Sequence, residues 1–447
     1  MRRTMAAAAV LTLVGAACTG GSESSTVPTV DTTSQEPVTL TITGEWTGEE
    51  CDKWVQIFPA FEDAYPWATV EPICNVNDDK MIKQINAGNA PDVAQSFGVD
   101  NVGLFCNSGA WEDLTPYIEG ADGIDMSMFP EGALTYTTYD GKQCALPFMT
   151  DTYGIYYNTD MFEAAGLTEP PTTTDELQAY AKELTVFNDD GSIAIAGFVP
   201  NTTYYCCASN TLNMGYMFGA EWLDADGNAA FASDPGWANM LTWQRDLIAD
   251  VYGGGDFSTG ADRLTQFIAG AGNEWNAQQD LGKGRVAITI DGEWRNAFVP
   301  NSLNYGTAPV PMAPGFEDRY GGGTVGGTVL ALPKGSPHPA EAWLLLSWLA
   351  TDTDTLVTVA NNINNVPTTN ESIASQDLDL PPQFTPFMEI FQNPNSHFRP
   401  TTAIGLELSD YIDAFVAKWQ AGEANDLAAG LQEAQDQTND ALAQAAI

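Results

Sequence analysis

Positive charge is scarce in this sequence. Its 447 residues hold 16 Lys and Arg against 59 Asp and Glu, a formal net charge of −43. A surface of that sign repels nucleic acid, other polyanions and anionic lipid headgroups at long range, and it favours neutral or cationic ligands. Selection for solubility outside the cell or in salt accounts for the charge more simply than a functional field does. Histidine is scarcer still, at His338 and His397 alone. Two histidines and no Cys-x-x-Cys spacing leave little from which to build a zinc site or a Ser-His-Asp or Cys-His catalytic group. Long apolar runs are missing too: no segment reaches the roughly 20 apolar residues that a spanning helix needs. No short repeat of solenoid type is present.

What is present begins at the N-terminus. Arg2 and Arg3 precede an uncharged, mostly apolar run, Ala6 to Ala17, which ends in Gly15-Ala16-Ala17 before Cys18. A basic segment, a short apolar core and a small-residue cut site read as an export signal over residues 1–17. Its removal takes Arg2 and Arg3 with it and makes the formal charge −45. Residues 18–36, opening Thr19-Gly20-Gly21-Ser22, have the composition of a flexible polar tether. The segment resembles a bacterial lipoprotein signal. That resemblance implies that Cys18 becomes an N-terminus bearing acyl chains such as palmitate, anchoring the chain to the outer face of the cell membrane. The plainer alternative is a secretory signal with a chance cysteine.

About 410 residues remain, more than one hydrophobic core usually serves, so two domains are expected. Setting Cys18 aside leaves six cysteines: Cys51, Cys74, Cys106, Cys144, Cys206 and Cys207. An even count in an exported chain points to disulfides, with fifteen pairings open. Sequence order favours Cys51–Cys74 and Cys106–Cys144, each worth roughly 3 kcal/mol in the chain-entropy model. Cys206–Cys207 would then be an adjacent pair.

Strand and helix signals alternate, which predicts an α/β architecture. Val38, Leu40 and Ile42 alternate as a first strand. Trp54, Ile57, Phe58 and Phe61 follow at i, i+3, i+4, i+7 on one helix face, and Pro66 ends that helix. Val286, Ile288 and Ile290 alternate again before Asp291-Gly292. Pro339 opens an apolar helix through Trp343, Leu346 and Leu349. Leu408, Tyr411, Ile412, Phe415, Val416 and Trp419 form the cleanest amphipathic stripe, and the last twenty residues read as an exposed helix.

Seven segments in order carry a resemblance. They are Phe61-Glu62-Asp63-Ala64-Tyr65-Pro66, Ala87-Gly88-Asn89-Ala90-Pro91-Asp92-Val93, Trp111 to Ile118, Leu146 to Asn158, Gly284 to Trp294, Gly321 to Gly327 with Pro333 to Ser336, and Glu341-Ala342-Trp343. Together they resemble the extracytoplasmic solute-binding proteins of ABC importers, the large sugar-binding family that includes maltose-binding protein. The resemblance implies a two-lobed periplasmic-binding-protein fold of type II, with discontinuous lobes, hinge strands and a ligand cleft between the lobes. It places crossings near 147–150, 306–309 and 352, giving 37–148 plus 310–352 as lobe one and 149–309 plus 353–447 as lobe two. It also implies a small-molecule sugar ligand, permease subunits as partners, a monomer, no cofactor and no nucleic acid.

A pyranose needs flat apolar surface for its C–H faces and fixed polar groups for its equatorial hydroxyls, so a sugar cleft combines tryptophan or tyrosine with carboxylates and amides. By the resemblance, Trp294 matches a position that stacks on sugar, and Asp151 falls where the family often places an acidic ligand residue. Tyr153 shares Asp151's strand face. Glu293 or Asp291 could accept hydroxyls, or serve the turn instead. Glu45 and Trp46 follow the first strand at the end that faces the cleft in open sheets. Ser96 and Phe97 follow a later strand, where the family places contacts. Gly322, Gly323 and Thr324 offer close backbone approach. Tyr204 precedes the adjacent cysteines in an aromatic-rich stretch, and Arg399 reaches the cleft or pairs with surplus acid. Asp224-Ala225-Asp226-Gly227-Asn228 lacks the later bidentate glutamate of a calcium loop and reads as a turn. Two rival functions stay open: binding of a cationic solute such as a polyamine, and an exported glycosidase, which needs two carboxyls about 5–9 Å apart.

Overall fold

The computed structural model describes residues 27–30, 36–205 and 210–445. Cys18, Cys206 and Cys207, and with them the leader and the adjacent-cysteine pair, lie outside the described residues. Eleven strands form one continuous system: β1 (Val38–Thr43), β2 (Ala68–Ile73), β3 (Val93–Ser96), β4 (Leu146–Asn158), β5 (Val186–Phe187), β6 (Ile193–Phe198), β7 (Val286–Gly292), β8 (Tyr305–Ala308), β9 (Thr324–Ala331), β10 (Val366–Pro367) and β11 (His397–Phe398). The main path runs β2-β1-β3-β9-β4-β7-β6-β5, with β8 and β10 also on β4, and β11 on β9.

The strand that makes two lobes of one sheet system is β4. At about 3.3 Å per residue its 13 residues extend roughly 43 Å. Its first half, Leu146 to Thr152, pairs with β9, and its second half, Tyr153 to Tyr157, pairs with β7. On one side lies a core built on Leu40, Ile42, Trp54, Phe61, Phe148 and Leu346. On the other, Ile155, Phe198, Trp237, Ile288, Ile412 and Val416 belong to a larger cluster. Leu40 and Ile42 of β1 and the helix face of Trp54, Ile57, Phe58 and Phe61 are buried as their periodicity predicts, Val38 is half-buried, and β7 is buried at every position, on both faces. The late amphipathic stripe is helix Glu407–Gln420, followed by helix Leu427–Ala445.

Core membership relocates the crossings. Helix Thr353–Ile363 buries Leu356, Val359, Ala360 and Ile363 in the first core, so the chain leaves that lobe after residue 363, through β10, not at 352. Met312 N–H donates to the Thr172 carbonyl and Ala313 N–H to the Met217 carbonyl, so residues 312–313 still pack with lobe-two segments, beyond the crossing expected at 306–309. Both shifts have one cause: a helix or loop belongs to whichever lobe its apolar side chains cover.

Asp92, in the second of the seven segments, is a structural junction. Its Oδ2 accepts from the Thr41 backbone N–H at 2.8 Å, and its Oδ1 accepts from His338 N–H at 3.1 Å. One buried carboxylate thereby fixes β1 and the entry to helix Pro339–Thr351. Disulfides Cys51–Cys74 and Cys106–Cys144 are formed, the two that sequence order favours. The 224–228 segment is a turn: Asp224 Oδ1 accepts from the backbone N–H groups of Asp226 and Asn228, at 2.9 Å each. No described helix is long and apolar enough to cross a membrane.

Candidate functional site

A cleft of about 1030 Å³ opens between the lobes, over the crossing strands β4 and β9. Its lobe-one wall comes from the carboxyl ends of β1 and β3, where open α/β sheets place their ligands. Glu45 and Trp46 follow β1, and Phe97, Val99 and Asp100 follow β3. The opposite wall holds Trp275, Trp294 and Phe298, and the floor holds Asp151, Tyr153, Gly326, Gly327 and Asn365.

The aromatic rings stand in two groups that brace one another edge to face, the favoured arrangement of aromatic quadrupoles. Trp46 meets Phe97 at 5.4 Å and 77°. Across the cleft, Trp294 meets Tyr153 at 5.4 Å and 88°, and Trp275 meets Phe298 at 5.6 Å and 80°. Trp46 is only 3% exposed, so on this wall the available surface is that of Phe97, at 42%; opposite, Trp275 is 44% exposed. Trp294 folds back over Gly292, where an added Cβ would lie 2.1 Å from the indole, so glycine is required at the end of β7. The indole N–H of Trp294 is buried and has no hydrogen-bond partner among the described residues, leaving one fixed donor beside the floor.

The floor carries a linked carboxyl pair. Asn365 Nδ2 donates to Asp151 Oδ1 at 3.0 Å and to Glu293 Oε1 at 2.5 Å, while Thr152 N–H donates to Glu293 Oε2 at 2.7 Å. Burial pushes the Asp151 carboxyl up to about 7. It pushes Glu293 well above the usual carboxylate range, with the neighbouring Asp151 charge adding to it. Of the two, Asp151 lines the cleft and Glu293 is fully buried behind it. On the lobe-one wall, burial and then the Asp78 charge raise Glu45 to about 7, against a hydrogen bond of 2.8 Å from Phe97 N–H to Glu45 Oε1. Among the described residues two cations line the cleft and both are paired: Lys53 with Glu49 at 3.3 Å, and Arg399 with Asp100 at 2.8 Å.

Of the residues singled out from sequence, Glu45, Trp46, Phe97, Asp151, Tyr153, Trp294 and Arg399 line this one cleft. The others stand elsewhere. Asp291 is fully buried, ion-paired to Arg295 Nε at 2.5 Å and accepting from Gly292 N–H at 2.9 Å. Glu293 lies behind Asp151 and is also fully buried. Ser96 is buried, its hydroxyl donating to Asp78 Oδ1 at 2.7 Å. Tyr204 is buried, donating to Asp280 Oδ2 at 3.1 Å and stacked on Tyr205. Gly322 and Gly323 are glycines for packing, since a Cβ would meet Tyr216 Oη at 2.5 Å and the Tyr153 carbonyl at 2.9 Å. Thr324 is buried, bonded to Asn213, and faces a smaller cavity.

Trp275, Phe298, Asp100 and Asn365 line the cleft without having been singled out. Trp275 sits in Asn273-Glu274-Trp275-Asn276, a polar stretch around one large ring; an aromatic with no apolar neighbours to pack on was the usable signal. Asn365 reaches the floor only through the path of β10, which nothing local encodes. Among the described residues, no group of three or more His, Cys, Asp or Glu is placed to hold a metal.

Two α/β lobes joined by crossing strands, with an aromatic and acidic cleft between them, define a solute-binding protein of the interlobe type. Residues 48–355 match the family model described as bacterial extracellular solute-binding protein. The chain belongs to that family. Among relatives, an ABC transporter extracellular-binding protein of Pyrococcus horikoshii is 24% identical over 77% of this chain and 76% of its own. The maltodextrin-binding protein of Bacillus subtilis is 27% identical over 58% of this chain, which spans 56% of that relative. Among solved structures, mannotriose-bound CpMnBP1 is similar with a TM-score of 0.77 and 27% identity, over 90% of this chain and all of that one. Maltose-bound MalE3 of T. maritima gives 0.68 and 25%, over the same shares.

Proposed function

We propose that this chain is the extracytoplasmic binding component of an ABC importer, capturing a neutral sugar or oligosaccharide between its lobes and delivering it to a permease. One observation carries the reading: rings on both walls face a floor of carboxylate and amide, which is what a pyranose needs. Trp294, Phe97 and Trp275 supply the stacking surfaces. Asp151 accepts from hydroxyls, the more strongly when ionised, and Asn365, bonded to both Asp151 and Glu293, holds it in place. Sugars carrying phosphate or carboxylate are disfavoured, because Lys53 and Arg399 are already neutralised by Glu49 and Asp100. The relatives' ligands, mannotriose, maltose and maltodextrin, support an oligosaccharide, an α-glucoside among the candidates.

The ligand is captured, not transformed. Contacts on both walls are complete only when the lobes approach, so sugar shifts the population toward a closed form that docks on the permease. In the mature protein, a monomer without cofactor, a lipid on Cys18 keeps this collector within reach of that permease.

A second reading has its own support. Glu45, Glu49, Glu50, Asp100 and Asp151 line the cleft against two cations that are already paired, which suits a cationic solute such as a polyamine. Isothermal titration of the mature chain against neutral oligosaccharides and polyamines separates the two. We expect 1:1 binding of at least one oligosaccharide and no release of reducing sugar. Binding of polyamines alone overturns sugar capture, and sustained release of reducing sugar overturns capture without chemistry.

A further inference from the structure

A second cavity of about 170 Å³ lies beside the cleft, lined by Leu212, Tyr216, Trp222, Thr324, His397 and Phe398 among others. At roughly 30 Å³ per liquid water it would hold about six waters, enough for the edge of one sugar ring. Leu212 lines both spaces. Two extended segments divide between them as well. On β9, Thr324 faces the small cavity and Val325 the cleft; from the end of β11 onward, Phe398 and Pro400 face the small cavity and Arg399 the cleft. Alternation with period two is what extended chain imposes. The wall between the spaces is therefore thin: Leu212, Arg399 and the backbone of β9.

Arg399 is held in that wall from two sides. Its Nη1 donates to Asp100 Oδ2 at 2.8 Å, with both side chains largely buried, at 12% and 18% exposure. Its guanidinium carbon stands 5.3 Å from the ring centre of Trp222, a wall of the small cavity. Its Nε is buried and has no hydrogen-bond partner among the described residues. A pair that closes a passage while leaving one donor unsatisfied is poised to open toward a ligand hydroxyl.

We propose that the Arg399–Asp100 pair is a partition that sets how long an oligosaccharide the cleft accepts. While the pair holds, the cleft ends at Arg399. When the guanidinium swings out, the small cavity becomes a further subsite, with Trp222 as its apolar face and His397 as a polar one. This rests on oligosaccharide capture as proposed above.

The test is isothermal titration of wild type, Arg399→Ala and Asp100→Asn with members of increasing length from whichever oligosaccharide series binds. Arg399→Ala joins the two spaces. We expect the ratio of Kd for the preferred length to Kd for the next longer member to rise by about tenfold. Asp100→Asn frees the guanidinium without removing it, and a smaller rise of the same sign is expected. Asp100→Asn also serves if Arg399→Ala does not fold. An unchanged length preference in the folded variants overturns the partition and leaves sugar capture standing. A wild type that binds no oligosaccharide at all overturns capture, and the partition with it.

Discussion

Asp291 tests whether the floor of the cleft is read correctly, because its carboxylate is structural where the sequence offered it as a ligand group. Asp291 is 0% exposed and Arg295 1% exposed, at the turn that carries Trp294. Arg295 also donates to the Glu274 carbonyl beside Trp275, so the pair ties two cleft aromatics to the end of β7. Removing one partner of a buried pair leaves an uncompensated charge and costs about 3–5 kcal/mol. For a cooperative unit of 150–250 residues, about 2–4 °C per kcal/mol, this is a fall of about 6–20 °C in Tm for Asp291→Leu. Replacing both, as Asp291→Leu with Arg295→Met, removes the buried charge along with its partner. That double variant should lose less stability than either single one, with a coupling energy of about 2 kcal/mol. Denaturant and thermal unfolding of the four proteins close the cycle. An Asp291→Leu protein that melts within about 2 °C of wild type, yet no longer binds ligand, refutes this reasoning.

Three further outcomes are expected. Trp294→Ala should weaken ligand binding by about 2 kcal/mol, near 30-fold in Kd, at nearly unchanged Tm; equal affinity by titration would remove Trp294 from the site. Burial raises the carboxyls of Glu45 and Asp151 to about 7, and those of Asp78 and Asp413 upward. A carboxyl whose folded pKa exceeds the unfolded one binds its proton more tightly when folded, so its contribution is full below about pH 4 and lost as pH rises toward 7. The ligand-free Tm should therefore fall between pH 5 and pH 8, and fall less steeply in Glu45→Gln; a Tm that rises over this window contradicts the burial described. Replacing both Cys106 and Cys144 by serine frees a loop of 38 residues' separation and should cost about 3–4 kcal/mol, read by denaturant unfolding. A loss below about 1 kcal/mol would show that the loop is held by other contacts.

What was legible in the sequence follows local physics. Periodicity is a property of one element, so the strand of Leu40 and Ile42, the helix face of Trp54 and Phe61, and the stripe ending at Trp419 could be read directly. The cleft positions that follow β1 and β3 could be read as well, because strand ends in open sheets face the ligand. Depth could not. Glu293 and Asp151 are both carboxylates near Trp294, and only the pairing of β4 with β7 decides which faces solvent and which lies behind. The glycines at 322 and 323 look like an opening for a ligand, but the space is filled by Tyr216 and the Tyr153 backbone, distant in sequence. Asn365 was invisible for the same reason: the lobe to which helix Thr353–Ile363 belongs is set by what its apolar face covers, and that decides where β10 crosses.

The most direct test of ligand capture between the lobes is small-angle scattering of the mature chain, before and after saturation with an oligosaccharide that binds 1:1. Contacts on both walls predict a smaller radius of gyration in the saturated protein, lost in parallel with affinity in Trp294→Ala. The same radius with and without saturating sugar would contradict closure around a ligand held between the lobes.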